Sequence, residues 1–142
     1  MTERRMIHTL LEMPIFPPTQ KILGAELISY DCEKGTVEYR FQPVVGLENP
    51  VGGVQGGIVC AMLDDCVGTA MATQLPPDTW IPTLELNTSF VRAVKYGELI
   101  YGYGKVTNMG STVVHSEAEL RDSKQKLLAR CTAVSMRVAA TY

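Results

Sequence analysis

The chain has 142 residues, of which 46% are apolar and 20% charged, with a formal net charge of −2. At this size roughly 65–70% of the unfolded surface can be buried, enough for a single core in an ordinary globular domain. The slight acidity leaves no basic footprint for nucleic acid, and no apolar run reaches the ~18 residues of a membrane span.

Four cysteines (Cys32, Cys60, Cys66, Cys131) lack C-x-x-C spacing and have only His8 and His115 as possible co-ligands, so no metal site is expected. Their reduced state, and a basic start with no apolar stretch behind it, point to the cytoplasm.

Residues 2–13 read as a short amphipathic helix, capped by Thr2, with Met6, Leu10 and Met13 at helical spacing. Pro14, Pro17 and Pro18 end it, so 1–18 is an N-terminal helix with a proline-rich lead-in. Strands are expected at 25–30 and 36–42. In the second, Val37, Tyr39 and Phe41 alternate with polar residues, as in a half-buried strand. A Gly/Pro/Asn-rich loop spans 43–53, and 57–73 forms the one long helix. Strands follow at 81–91, 98–108, 111–121 and 126–138. The short breaks between them predict antiparallel neighbours. The order implies a single domain of α+β class over 1–142. A helix apolar nearly all round must be wrapped by a curved antiparallel sheet.

That helix contains two adjacent acids, Asp64 and Asp65, in an apolar run. Burying an unpartnered carboxylate costs several kcal/mol or shifts its pKa. At ~100° per residue the two cannot point the same way, so one faces solvent or a subunit partner while the other is held inside. Ahead of the helix lies Val51-Gly52-Gly53-Val54-Gln55-Gly56-Gly57, which matches neither the P-loop nor G-x-G-x-x-G. Its position is what matters, because free N–H groups and the dipole at a helix N-terminus favour developing negative charge. The Gly56 N–H can therefore polarise an acyl oxygen. Asp64 lies nine residues beyond Gln55, roughly 12–14 Å along the axis. One carbonyl does not span that distance on one helix, so the two sites meet only if two antiparallel copies of it pair.

This stretch and the strand after it resemble the hotdog-fold acyl-CoA thioesterases of the phenylacetate-degradation type. The family pattern is an Asn, then His-Gly-Gly, then a helical Asp or Glu nine residues after the His, then Ser or Thr opening the next strand. Asn49, Gln55-Gly56-Gly57, Asp64 and Thr83 are the matches, and Thr83-Leu84-Glu85-Leu86-Asn87-Thr88-Ser89-Phe90 resembles the strand itself. The resemblance covers about residues 20–138. It implies a hotdog fold and hydrolysis of acyl-CoA to free acid and CoA without a cofactor. It also implies a homodimer with interface active sites, often paired into a homotetramer. Asp64 would be general base or nucleophile, Gly56 the carbonyl's N–H donor, and Thr83 the residue holding water or orienting Asp64. Asn49, Gln55 and Gly57 would contact substrate. Gln55 departs from the family His. It donates a hydrogen bond but does not titrate near neutrality, which suits orientation of the thioester rather than protonation of the thiolate.

Arg92, Lys95, Lys105, Arg121 and Lys124 read as a solvated face, with the phosphates of CoA as the alternative. Trp80 and Tyr103 are assigned to core packing, His115 to a structural or exposed position, and Gly110-Ser111 to a hairpin. A non-catalytic acyl-CoA binding or sensing module would call for an appended domain. An enoyl-thioester hydratase would need a His soon after the Asp, and the helix has none.

Overall fold

The computed structural model describes residues 3–14 and 17–139. Two short helices, α1 (Met6–Leu11) and α2 (Pro18–Leu23), precede strands β1 (Glu26–Asp31) and β2 (Thr36–Phe41), and then the long helix α3 (Gly56–Ala72). Strands β3 (Thr79–Trp80), β4 (Thr83–Phe90), β5 (Ile100–Met109), β6 (Val113–Arg121), β7 (Leu127–Met136) and β8 (Val138–Ala139) complete the chain. Thr2, expected as the first helix cap, lies outside the described residues. The proline-rich lead-in is itself partly helical, because Pro18 occupies the first position of α2, where its fixed φ and missing N–H cost nothing.

One six-stranded antiparallel sheet, in the order β1-β2-β5-β6-β7-β4, wraps α3, and β3 pairs with β8 beside it. This is the hotdog arrangement. The β1–β2 turn is fixed locally, since Asp31 Oδ1 accepts from the N–H groups of Glu33 and Lys34 at 2.9 and 3.0 Å. Gly35 closes that turn at φ 66°, in the left-handed region. The strand expectation fails at one connection, since β4 pairs with β7 and not with β5. The link between them runs from residue 91 to 99, longer than the Lys95–Gly97 break alone suggests. Nine residues span up to about 30 Å, enough to cross three inter-strand steps of ~4.8 Å.

The core lies between α3 and the concave face of the sheet. Val59, Met62, Leu63, Val67 and Met71 of α3 meet Val37, Phe41, Ile100 and Leu120, all buried. Each such large side chain contributes roughly 1.5–3 kcal/mol through its removal from water. The helix comes unusually close to β5. A Cβ on Gly104 would sit 2.2 Å from the Cys66 carbonyl oxygen, and one on Gly102 would sit 2.6 Å from Cys66 Sγ. The N-terminal segment is tied to the far end of α3 by Met6 N–H donating to Leu75 O at 2.8 Å and by Arg5 Nη1 donating to Gln74 O at 3.1 Å. Among the described residues, no helix is long and apolar enough to cross a membrane.

Candidate functional site

The two acids of α3 separate as helix geometry demands. Asp64 is exposed, whereas Asp65 is turned inward and its Oδ2 is buried with no hydrogen-bond partner among the described residues. Burial, and secondarily the Asp64 charge, push the Asp65 carboxyl up to about 7.

Asp64 Oδ1 accepts from Thr83 Oγ1 at 3.0 Å. That contact depends on an irregularity in β4. Thr83 pairs with Ser135 and Glu85 with Val134, so Leu84 is an extra residue. Without it, strict alternation would put Thr83 on the outer face with Glu85, Asn87 and Ser89. The bulge re-aims its hydroxyl inward. Beyond it, Thr88 and Phe90 also face α3. Cys60 Sγ lies 3.6 Å from Thr88 Oγ1, and a Cβ on Gly56 would lie 3.5 Å from the Phe90 ring. Gly56, Cys60 and Asp64, spaced i, i+4, i+8, thus form one stripe of α3 running antiparallel to β4. Cys60, Thr88 and Phe90 were not picked out as site residues from sequence. The signal available for Cys60 is its place midway in the eight-residue interval from Gly56 to Asp64, but nothing local marks Thr88 or Phe90.

At the start of α3, Gln55 is the N-cap and its Oε1 accepts from Ile58 N–H at 3.2 Å. Its amide nitrogen is left as a neutral donor on an exposed side chain. A Cβ at Gly57 would lie 2.8 Å from Gln55 Oε1, so a side chain there would displace the end of the capping Gln55. The N–H groups of Gly56 and Gly57 have no acceptor among the described residues, as expected for the first positions of a helix. Asn49 is committed to the loop. Its Oδ1 accepts from the N–H groups of Val51 and Gly53, both at 3.0 Å, and so shapes the approach to Gln55.

Gly56, Gln55, Gly57 and Asn49 therefore collect at one end of α3, and Asp64 with Thr83 lies two turns along it. The structure of one chain does not bring the two groups into contact. A hollow of about 990 Å³ lies on the outer face of the sheet between Glu38, Lys105, Glu117 and Arg130, and neither group lines it.

Other expectations resolve simply. Trp80 is 65% exposed, in β3, so its assignment to the core is wrong. It lies in the two-stranded β3–β8 sheet, where no layer among the described residues covers it. Tyr103 points to the outer face, with its hydroxyl donating to Gln125 Oε1 at 3.2 Å. It is only half-buried there. His115 is exposed, and Gly110 closes the β5–β6 hairpin with its N–H on Val113 O at 3.0 Å.

Comparison with known proteins agrees with this architecture. The profile of the thioesterase superfamily matches residues 52–129. A phenylacetic acid degradation-related protein from Ralstonia eutropha JMP134 superposes with a TM-score of 0.85 at 32% identity, covering 94% of this chain and 99% of its own. The E. coli PaaI protein shares the fold, with a TM-score of 0.82 at 19% identity over 96% of this chain and 93% of its own. A 1,4-dihydroxy-2-naphthoyl-CoA hydrolase from Listeria monocytogenes is 25% identical over 115 residues, 80% of this chain and 91% of that protein. From α3 with its glycine approach to the edge strand that meets it, the chain belongs to the thioesterase superfamily.

Proposed function

We propose that this protein hydrolyses acyl-CoA thioesters to the free acid and CoA, at sites shared between two copies of the chain. The observation that carries the reading is the Thr83–Asp64 hydrogen bond. It holds a carboxylate in a fixed direction on the open face of α3, in line with unused N–H groups at the N-terminus of that helix. The Asp64 carboxylate drives attack on the thioester carbonyl, by taking a proton from water or by adding itself. The Gly56 N–H of the other copy receives the negative charge that builds on the carbonyl oxygen. Gln55 donates its amide N–H to the thioester and so orients it, and CoA leaves as a thiolate, a stable enough anion to need little acid assistance. Asn49 supports this end by holding the loop. The names of the Listeria and Ralstonia relatives support the reaction class.

Pairing of two copies is supported by β4 itself. It is an edge strand with Leu84 56% and Phe90 58% exposed, and unprotected edges of this kind pair with another chain. A twofold axis beside β4 sets two α3 helices antiparallel, so that Asp64 of each approaches Gly56 of the other. The cysteines of the described residues are all free, which suits a reducing compartment such as the cytoplasm.

The test is thiol release from a panel of acyl-CoA esters by wild type and Asp64→Asn. Loss of the base lowers kcat by roughly 10²–10⁴-fold. Equal turnover by the two proteins would remove Asp64 from the mechanism, and no release from any ester would remove the reaction.

A further inference from the structure

The connection from β4 to β5 forms one wall of a cavity of about 310 Å³ closed on the other side by the β6–β7 turn. Three cations line it: Arg92, Lys95 and Lys126. Glu98 and Asp122 line it too. Among the described residues none of these three cations has a carboxylate oxygen within 4.0 Å. Asp122 is already committed to its own turn, with Oδ1 accepting from the N–H groups of Lys124 and Lys126, both at 2.9 Å. Arg92 is anchored in place, with Nη1 donating to Leu127 O at 2.8 Å and its backbone N–H to Leu128 O at 2.9 Å. With three cations against two carboxylates, and Asp122 facing the Lys126 charge, the cavity is a concave, partly preformed site with a small net positive charge.

Its position links it to the proposed reaction centre. Lys95 bridges to Gly53, and the Val54 N–H donates to Val94 O at 2.9 Å. Gly56 follows Gly53 by three residues, at most about 11 Å of extended chain. The basic wall is therefore stitched to the segment that leads into the N-terminus of α3.

We infer that this cavity, through Lys95 and Lys126 with Arg92 behind them, receives the phosphate-bearing nucleotide end of CoA. This rests on the acyl-CoA reading above and extends it to the substrate's carrier. Phosphate oxygens are the anions that Lys and Arg side chains lining one hollow match, and ~300 Å³ is at the small end of small-molecule sites. The acyl carbonyl then sits at Gly56 while the pantetheine arm runs along the 53–56 segment. A carrier protein would bring the same thioester on an acidic convex surface, whereas here the cations line a hollow and share it with Glu98 and Asp122.

The experiment compares wild type with the double variant Lys95→Ala/Lys126→Ala, and with Lys105→Ala as a charge control on the outer face of the sheet. Each is assayed on one acyl group carried by CoA, by N-acetylcysteamine, which lacks every phosphate, and by an acyl carrier protein. The expected result is a fall of about tenfold or more in the kcat/KM ratio of the CoA ester to the N-acetylcysteamine ester in the double variant, with the Lys105→Ala ratio unchanged. A ratio that does not move in the double variant overturns the assignment. A selective loss on the carrier-protein ester overturns it in favour of a protein partner. Direct titration of CoA by calorimetry separates the two layers of the argument. If wild type hydrolyses nothing yet binds CoA, and the double variant weakens that Kd about tenfold, the phosphate site stands and the reaction falls. Equal Kd values for the two proteins sink the site whatever the activity.

Discussion

Gly56 offers a substitution that isolates one backbone hydrogen. Gln55 sits at φ −61° and ψ 140°, the extended conformation that a residue before proline prefers, and Gly56 is the first residue of α3, where proline is favoured. A Cβ there meets Phe90 only at ordinary contact distance. Gly56→Pro therefore keeps the fold, with a melting temperature near that of wild type, and loses the N–H. Its kcat is expected to fall roughly 10²–10³-fold, the usual cost of one oxyanion donor. Unchanged turnover would take Gly56 out of the site. Asp65 makes a different prediction at the same scale. Its unfolded pKa is near 3.9, whereas in the fold burial raises it to about 7, with Asp64 adding its charge. The protonated acid is the form the fold prefers. Its stabilising contribution is complete below about pH 4, declines as pH rises towards 7, and is gone above that. Asp65→Asn removes the titration, so wild type should lose melting temperature between about pH 4 and 7 more steeply than the variant. Parallel curves would show that Asp65 is not the buried acid described here.

At the scale of elements, the site depends on two departures from regularity in the sheet. The bulge at Leu84 turns Thr83 onto Asp64, and the glycines of β5 let α3 lie close enough for β4 to reach it. Thr83→Ser keeps the hydroxyl and Thr83→Ala removes it. The Ala variant is expected to lose roughly tenfold or more in kcat, with KM little changed and Ser restoring most of the loss. A loss shared equally by Ser and Ala would point to packing instead. Gly104→Ala forces a methyl group to within 2.2 Å of the Cys66 carbonyl, against backbone that cannot rotate away. The helix must shift, at a cost of about 3 kcal/mol, and chemical denaturation should show it. A variant as stable as wild type would mean that α3 is not held this near the sheet.

For the whole molecule, the question is whether Asp64 and Gly56 of one reaction centre come from different copies. Asp64→Asn and Gly56→Pro homodimers are each expected to be nearly inactive. In a mixed dimer one site carries both defects and the other carries neither. Random exchange of equal amounts makes half the dimers mixed, so about a quarter of wild-type activity should return. No recovery after verified exchange would place both groups in one copy.

How much of this was legible in advance follows from what sequence patterns encode. The alternation of Val37, Tyr39 and Phe41 and the apolar run of α3 are local, and period and composition alone assigned those two elements. The Asp64–Thr83 pair was reached through family spacing. Helix geometry required only that Asp64 and Asp65 diverge, and it did not say which was open. Tertiary structure decided that, because the inner side of α3 is defined by β2, β5 and β6, which lie far from it in the chain. It also decided that β4 pairs with β7, that Trp80 is left uncovered, and that Arg92 and Lys95 share a cavity with Lys126. Each of those outcomes depends on contacts between residues distant in sequence, whose energies no local pattern contains.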